Sequence, residues 1–199
     1  FDVFKSMGYR FNNYSIFDIN EQHGLSNSNE FVPVHSMMLT DKIFHNRFMR
    51  NSSWFIKKFP LWSKQYLFEH DVNNLKAKQM IVKASGVKKD KPVFSYGHFF
   101  LPHLPFYRDS LGNYNSIEYI ADEAIVYKER FLSYLKYTNT VITSLADSVI
   151  KYDPNSLIII MSDHGFKNYS NKQLYEPYNF DNFCAIRYKA KVLLPFRDK

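Results

Sequence analysis

The chain has 199 residues, of which 45% are apolar and 18% aromatic, so it is long and apolar enough to fold as one globular domain. Its 26 basic and 19 acidic residues give a formal charge of +7, which favours anionic partners such as phosphate esters, lipid headgroups or nucleic acid. The single cysteine, Cys184, excludes an internal disulfide and a cysteine-based zinc site, and we expect it to lie in the core.

The first third of the chain predicts short elements separated by polar loops. Residues 1–9 predict a helix that ends at Gly8, and residues 10–17 predict a strand because aromatic and β-branched side chains are frequent there. Residues 20–29 are polar and predict a loop. Residues 31–68 carry helical stretches around Pro33 and Pro60, and residues 65–83 predict a further helix.

The densest basic cluster follows that helix. It lacks the interleaved aromatic side chains that stack on nucleic-acid bases, so we interpret it as a solvated loop and predict no nucleic-acid partner. Its members are Lys83, Lys88, Lys89 and Lys91.

The second half of the chain predicts a strand, a proline-rich loop and a long helix. Residues 92–98 predict a core strand. Pro102 and Pro105 then flank His103 and prevent a regular element from continuing. Residues 109–115 predict a turn, and residues 117–151 predict a helix because apolar side chains recur every three or four positions.

The most informative segment is residues 157–165, an apolar run that leads directly into Asp163, His164 and Gly165. Such a run is typical of a strand buried on both faces of a parallel sheet, and α/β folds place their chemistry at the carboxyl ends of such strands. Asp163 and His164 offer an oxygen and a nitrogen ligand, and Gly165 permits a turn that lets both converge on one ion. The segment therefore predicts half of a metal site.

The strand at 92–98, the long helix and the strand at 157 together predict a βαβ unit with both strand ends at one edge of a sheet. His98 or His103 would then come near Asp163 and His164. The competing interpretations are a solvated turn for the Asp-His pair and packed, hydrogen-bonded side chains for the two histidines. The other histidines show no such constellation and are interpreted as surface or packing residues: His23, His35, His45 and His70.

Three segments resemble the sulfatase-like branch of the alkaline phosphatase superfamily: residues 94–106, the long helix with Tyr134 and Asn139, and residues 158–165 with their Ser-Asp-His-Gly motif. Within that branch the chain looks closest to lipoteichoic acid synthases and phosphoethanolamine transferases. The resemblance covers residues 90–170 well. It implies a single α/β domain over residues 1–199, an alkaline-phosphatase-like sandwich with a largely parallel central sheet.

The resemblance also implies roles for individual residues. Asp163 and His164 would bind a divalent metal ion, which is zinc, manganese or calcium in different branches. His103 would be catalytic and would contact the substrate phosphate or sulfate, and His98 would join it in binding the substrate. Such a metal polarises the ester oxygen and helps to ionise a hydroxyl nucleophile, while a histidine stabilises charge or moves a proton at the leaving group.

The departures from the family pattern set further expectations. The family's acidic ligand and its Thr, Ser or formylglycine nucleophile precede the motifs seen here, so we expect no nucleophile in this chain, a truncated amino-terminal part and little activity alone. Cys184 follows the Asp-His pair, which is the wrong side for a formylglycine precursor. No histidine follows His164, although several transferases carry one there.

The resemblance implies a membrane-anchored bacterial parent protein that works outside the cytoplasm, with membrane contact only through spans that precede this chain. That protein would be a hydrolase or phospho-group transferase, and its anionic ester substrate would be a lipid headgroup or a glycan. The alternative is a non-catalytic sulfatase-like module that binds anionic glycan or lipid headgroups.

Overall fold

In this computed structural model, the structure describes residues 2–19, 22–25, 68–88, 90–121, 128–166 and 181–189. Along these ranges the elements are α1 (Asp2–Ser6), β1 (Arg10–Tyr14), α2 (Glu69–Ser85), β2 (Val93–Gly97), α3 (Ile117–Ala121), α4 (Lys128–Tyr152), β3 (Ile158–Met161) and β4 (Cys184–Arg187). The mixture of helices and strands confirms the predicted α/β class. The helical stretches predicted between residues 31 and 67 lie outside the described residues.

Strands β1 and β2 form a parallel pair, with Arg10 opposite Val93 at one end and Tyr14 opposite Gly97 at the other. Helix α2 packs against both strands, which covers the pair as expected for parallel strands. A Cβ atom on Gly97 would lie 2.8 Å from Ile81 Cδ1. The glycine therefore permits helix α2 to approach the carboxyl end of β2 closely.

Helix α4 forms because its apolar residues recur on one face. Its buried side chains are spaced by three or four residues, as expected for one buried helix face. The helix also packs against α2. The helix ends at Tyr152, just before Pro154, which has no N–H to donate. Both ends of the predicted 117–151 helix are confirmed by α3 and α4, and residues 122–127 lie outside the described part. The buried residues are Tyr134, Thr138, Val141 and Leu145.

The main apolar core lies between the proline-rich segment and helices α3 and α4. Its buried members are Phe106, Tyr107, Ile120 and Tyr134. Because two of these follow Pro105 directly, the segment that carries His103 is anchored in the core. The predicted turn that follows is also confirmed, since Asp109 Oδ1 accepts the N–H groups of Leu111 and Asn113.

The surroundings of strand β3 differ from the prediction. Among the described residues β3 pairs antiparallel with β4, not with β2, so the expected βαβ sheet of β2 and β3 is wrong. Ile159 and Met161 are 54% and 70% exposed, so the expected burial on both faces is wrong as well. The strand has one partner strand in this part of the chain, and alternate side chains face outward.

The expectation that Cys184 lies in the core is also wrong, because Cys184 is exposed at the start of β4 in the β3–β4 pair. Lys88 and Lys91 are exposed in the segment after α2, which matches the interpretation of this cluster as a solvated loop. Lys83 is exposed too, but it lies in the last turn of α2, and Lys89 lies outside the described residues. No helix in the described ranges is both long and apolar enough to cross a bilayer.

Candidate active site

The register of β1 and β2 brings the loops that follow the two strands to the same edge of the strand pair. Because Tyr14 lies opposite Gly97, the residues after each strand leave the sheet side by side. Residues 15–19 and 22–25 follow β1, and residues 98–107 follow β2. This carboxyl edge is where α/β folds bind ligands.

Buried Asn13 organises the loop after β1. Its Oδ1 accepts hydrogen bonds from the backbone N–H and the hydroxyl of Ser15, at 3.1 and 2.7 Å. Its Nδ2 donates to the Phe17 carbonyl at 2.6 Å. Both Asn13 and Ser15 are buried, at 7% and 1% exposure, so this network fixes the backbone that carries Phe17. The Phe17 ring then lies edge-on to His98, with centroids 5.1 Å apart.

His98 follows β2 and lies half-buried among aromatic rings. The Phe100 ring lies edge-on to it with centroids 5.5 Å apart, and the Tyr96 hydroxyl lies 3.3 Å from His98 Nδ1. Burial lowers the pKa of His98 below its ordinary 6.5; the Asp163 carboxylate opposes this shift, and the His103 imidazole adds to it. Asp163 and His103 are therefore close enough to His98 to act on its charge.

His103 lies between two prolines whose preceding peptide bonds are cis. Its Nδ1–H donates to the Leu104 carbonyl at 2.6 Å, which assigns the proton to Nδ1 and leaves the lone pair on Nε2. The side chain is exposed, and its ring packs edge-on against Phe100 at 5.7 Å. His103 thus presents an oriented nitrogen to solvent.

Asp163 and His164 follow β3 after one intervening residue, Ser162, and their side chains face each other. Asp163 Oδ1 lies 3.8 Å from His164 Nε2, with the two side chains 73% and 33% exposed. His164 Nδ1–H donates to the Gly165 carbonyl at 2.7 Å, so Nε2 is the nitrogen that can bind a cation. A ring nitrogen fixed in this way beside a carboxylate is a usual half of a metal site.

The donor set fits a divalent cation in kind but supplies only two ligands. A carboxylate oxygen and an imidazole nitrogen suit zinc or manganese, whereas structural zinc sites hold four ligands and catalytic ones three. Within the described ranges no group of three His, Cys, Asp or Glu side chains is arranged to hold a metal ion. Asp163 and His164 could therefore supply two of the ligands that such a site requires.

Of the other histidines, His70 lies on α2 and stacks on Phe100 with centroids 4.1 Å apart, which matches the interpretation as a packing residue. His23 is a surface residue with a 94% exposed side chain. His35 and His45 lie outside the described residues.

Sequence reasoning missed the polar residues that support the two loops. Asn13 lies within the predicted strand 10–17, where its polar side chain carried no assigned role, yet it is the side chain that fixes the loop after β1. Asn74 on α2 binds the backbone of Phe100 and was hidden inside a helix prediction. A useful signal is an asparagine at a buried helical or strand position, since its amide has to satisfy a neighbouring backbone.

An open hollow of about 400 Å³ lies away from these residues, at the amino ends of β1 and β2. It is lined by three cationic side chains, one carboxylate, a glycine and a tyrosine: Lys5, Arg10, Lys91, Asp90, Gly8 and Tyr9. Its position at the opposite end of the parallel pair separates it from His98. It is therefore a distinct basic surface.

The comparisons with known proteins identify the family. The model of the Sulfatase family matches residues 1–190, nearly the whole chain, and members of this family are generally metal-dependent. No curated protein and no solved structure matches the chain significantly. With its α/β architecture, parallel strand pair and Ser-Asp-His-Gly motif, the chain belongs to the sulfatase family of the alkaline phosphatase superfamily and has an alkaline-phosphatase-like fold.

Proposed function

We propose that the chain forms part of a metal-dependent enzyme that acts on phosphate or sulfate esters, either as a hydrolase or as a phospho-group transferase. The observation that carries the proposal is the Asp163 and His164 pair, whose oriented Nε2 and carboxylate face each other at 3.8 Å. Asp163 also acts electrostatically on His98, which links this pair to the loop after β2.

Asp163 and His164 would hold the cation in this proposal, and zinc, manganese and calcium are the candidates. When bound, such an ion supplies Lewis acidity to an ester oxygen and favours ionisation of a hydroxyl nucleophile. The Gly165 carbonyl keeps the His164 ring in the tautomer that leaves Nε2 available. The negative charge of the Asp163 carboxylate would attract a cation bound beside it and lower its electrostatic free energy.

His103 is the proposed catalytic residue. Its Nε2 is the ring nitrogen not engaged by the Leu104 carbonyl, so it is able to contact a substrate oxygen or move a proton at the leaving group. His98 is the proposed second substrate-binding residue. Burial favours its neutral form, so it would contribute a hydrogen bond and little charge. The proposal assigns the nucleophile to none of the described residues.

A metal titration tests the proposal directly. Mn²⁺ or Zn²⁺ should raise the unfolding temperature of the wild-type chain, because a ligand at one hundred times its Kd stabilises the folded state by about 2.7 kcal/mol. Asp163→Asn and His164→Gln should lose this shift. The matched controls Asp147→Asn, an exposed carboxylate on α4, and His23→Gln, an exposed imidazole, should keep it. A shift that survives both site variants contradicts the proposal.

The ester-binding part has its own test. With the metal present, inorganic phosphate or sulfate should bind to the wild-type chain, and His103→Gln should weaken that binding while leaving the metal titration unchanged. Equal binding by wild type and His103→Gln would remove His103 from the site.

We further propose that the parent protein is a membrane-anchored bacterial enzyme of the lipoteichoic acid synthase or phosphoethanolamine transferase kind, working on the outer face of the membrane on a lipid headgroup or glycan. The support is the Pro-His-Leu-Pro-Phe segment at residues 102–106 together with the motif at residues 162–165. Protease digestion of this domain in intact spheroplasts supports the location, and full protection contradicts it.

A second candidate is a non-catalytic module that binds anionic glycan or lipid headgroups. The hollow lined by Lys5, Arg10 and Lys91 favours it, because three cations there face one carboxylate. This function predicts salt-sensitive binding to vesicles that contain anionic lipid, weakened by Lys91→Gln and indifferent to Asp163→Asn. Absence of binding at low salt excludes it.

A further inference from the structure

Asn74 makes an unusual contact with the loop after β2. Its Oδ1 accepts the backbone N–H of Phe100 at 2.8 Å, and its Nδ2 donates to the carbonyl of the same residue at 3.5 Å. The first bond is well formed and the second is at the limit of hydrogen bonding. Asn74 is 4% exposed, and its amide is committed to the backbone of this one residue.

The backbone at Phe100 needs such a partner. Strand β2 ends at Gly97, and Pro102 and Pro105 prevent the chain from continuing as a hydrogen-bonded strand. A partly buried backbone N–H without an acceptor costs about 1–3 kcal/mol. The Asn74 side chain supplies the donor and the acceptor that a neighbouring strand would otherwise provide.

The ring of Phe100 connects this contact to the candidate active site. It lies edge-on to both His98 and His103, at centroid distances of 5.5 and 5.7 Å. Its face stacks on His70 of α2 at 4.1 Å, with the rings 10° from parallel. Phe100 is thus the spacer that sets the distance between the two imidazoles.

Helix α2 holds the same segment at a second point. Asp71 accepts two hydrogen bonds from the Arg108 guanidinium, at 3.1 and 2.9 Å, and is 1% exposed. Asp71 and Asn74 are three residues apart and therefore share one face of the helix. One helix face fixes the segment at Phe100 and again at Arg108, on either side of His103.

From this geometry we infer that Asn74 is a positioning residue of the active site, which acts through Phe100 to hold the His98 and His103 imidazoles at a fixed separation. The functional meaning of this inference rests on the proposed ester chemistry, in which both imidazoles contact one substrate. The alternative is that Asn74 only satisfies a backbone group and contributes stability without influence on the two rings.

Carbon-edited NMR spectra of the histidine rings distinguish the two. The Phe100 ring current displaces the ring-proton signals of His98 and His103, so the isosteric variant Asn74→Leu should move both signals toward those of an unstructured chain. The matched control is Thr138→Val on α4, which also replaces a buried polar side chain by an apolar isostere. It should leave both signals in place at a similar loss of stability.

Asn74→Asp provides the conservative variant when it is studied at a pH where its carboxyl is protonated, because that group keeps an acceptor for the Phe100 N–H and an O–H donor for the Phe100 carbonyl. It should restore most of the wild-type signal positions, and it decides the question alone if Asn74→Leu does not fold. Unchanged histidine signals in a folded Asn74→Leu, equal shifts in Thr138→Val, or signals in Asn74→Asp that reach the unstructured-chain positions would overturn the inference. Because the spectra need neither metal nor substrate, failure here is separate from failure of the metal titration.

Discussion

The two halves of the candidate site lie in regions of very different construction. We call β1, β2, α2 and α4 the helix-covered region, and β3 with β4 the ribbon. In the helix-covered region, buried polar side chains hold the loops in place. Asn13 and Asp71 are examples, and they are 7% and 1% exposed. In the ribbon, two strands pair only with each other among the described residues, and Met161 is 70% exposed.

We expect this difference to divide the roles: the helix-covered region positions side chains, and the end of the ribbon supplies the ligands for a cation. The histidines after β2 are held by packing and hydrogen bonds, so their geometry exists before any ligand arrives. Asp163 and His164 extend from the ribbon, where few buried contacts give low local stability. We therefore expect substitutions in the helix-covered region to change stability and substitutions at the ribbon's end to change cation binding.

The largest effect is expected for Asp71→Asn. Arg108 lies over the Tyr114 ring at 3.8 Å with a 13% exposed side chain, so removing the carboxylate leaves a buried charge without its counterion. The expected loss is about 3–5 kcal/mol in the free energy of unfolding. Urea denaturation measures it, with Asp147→Asn as the exposed control. A loss equal to that of the control would show that this largely buried ion pair does not contribute to stability.

A pair of apolar truncations compares the two regions directly. Leu145→Ala in α4, at 9% exposure, should cost about 2–3 kcal/mol because it leaves a cavity. Ile159→Ala in β3, at 54% exposure, should cost less than about 1 kcal/mol. Urea denaturation of both variants measures the difference. Equal losses would mean that the ribbon is covered in solution and that the comparison fails.

The sequence predicted the regular elements well where a local pattern determines them. The apolar spacing gave helix α4, and the prolines around His103 gave the irregular segment. It did not predict that β3 pairs with β4, because the apolar run 157–161 is compatible with either partner and strand pairing depends on distant residues. It missed Asn74 for the same reason, since its partner Phe100 is 26 residues away.

The site could be predicted only in part. Asp163, His164 and His103 stand out by their motifs, and their orientation comes from backbone carbonyls one residue away, at Gly165 and Leu104. The electrostatic link between His98 and Asp163 arises from two loops that are far apart in the chain. No local pattern contains that information.

A smaller effect is expected in the pH dependence of stability. Burial lowers the pKa of His98 below 6.5, so the unfolded chain binds its proton more readily than the folded chain. The free energy of unfolding should therefore rise with pH through this range, and the contribution is lost as pH falls below 6.5. The Tyr96 hydroxyl lies 3.3 Å from His98 Nδ1, and the charges of the His103 imidazole and the Asp163 carboxylate also influence the pKa of His98.

His98→Gln should flatten this slope between pH 5 and pH 7, measured by urea denaturation at a series of pH values. His23→Gln, at a 94% exposed side chain, should leave the slope as it is. An unchanged slope in His98→Gln would show that the ring is solvated and that the helix-covered region does not enclose it.

The smallest effect is expected for Tyr134→Phe. The Tyr134 side chain is fully buried and its hydroxyl finds no hydrogen-bond partner in the described part of the chain. Burial raises the pKa of Tyr134 far above its ordinary range, which keeps the hydroxyl protonated. Because an unsatisfied buried hydroxyl costs free energy, its removal should be neutral or stabilising by up to about 1 kcal/mol. Thermal unfolding measures it, and a clear loss of stability would contradict the assignment.

We propose that Asp163 and His164 of the ribbon share one cleft with His98 and His103 of the helix-covered region. Paramagnetic Mn²⁺ tests it most directly, since a bound ion broadens the NMR signals of nearby protons. We predict that substoichiometric Mn²⁺ broadens the ring signals of His98, His103 and His164 together, spares exposed His23, and has no such effect in Asp163→Asn. Broadening of His164 while His98 and His103 stay sharp would contradict the shared cleft.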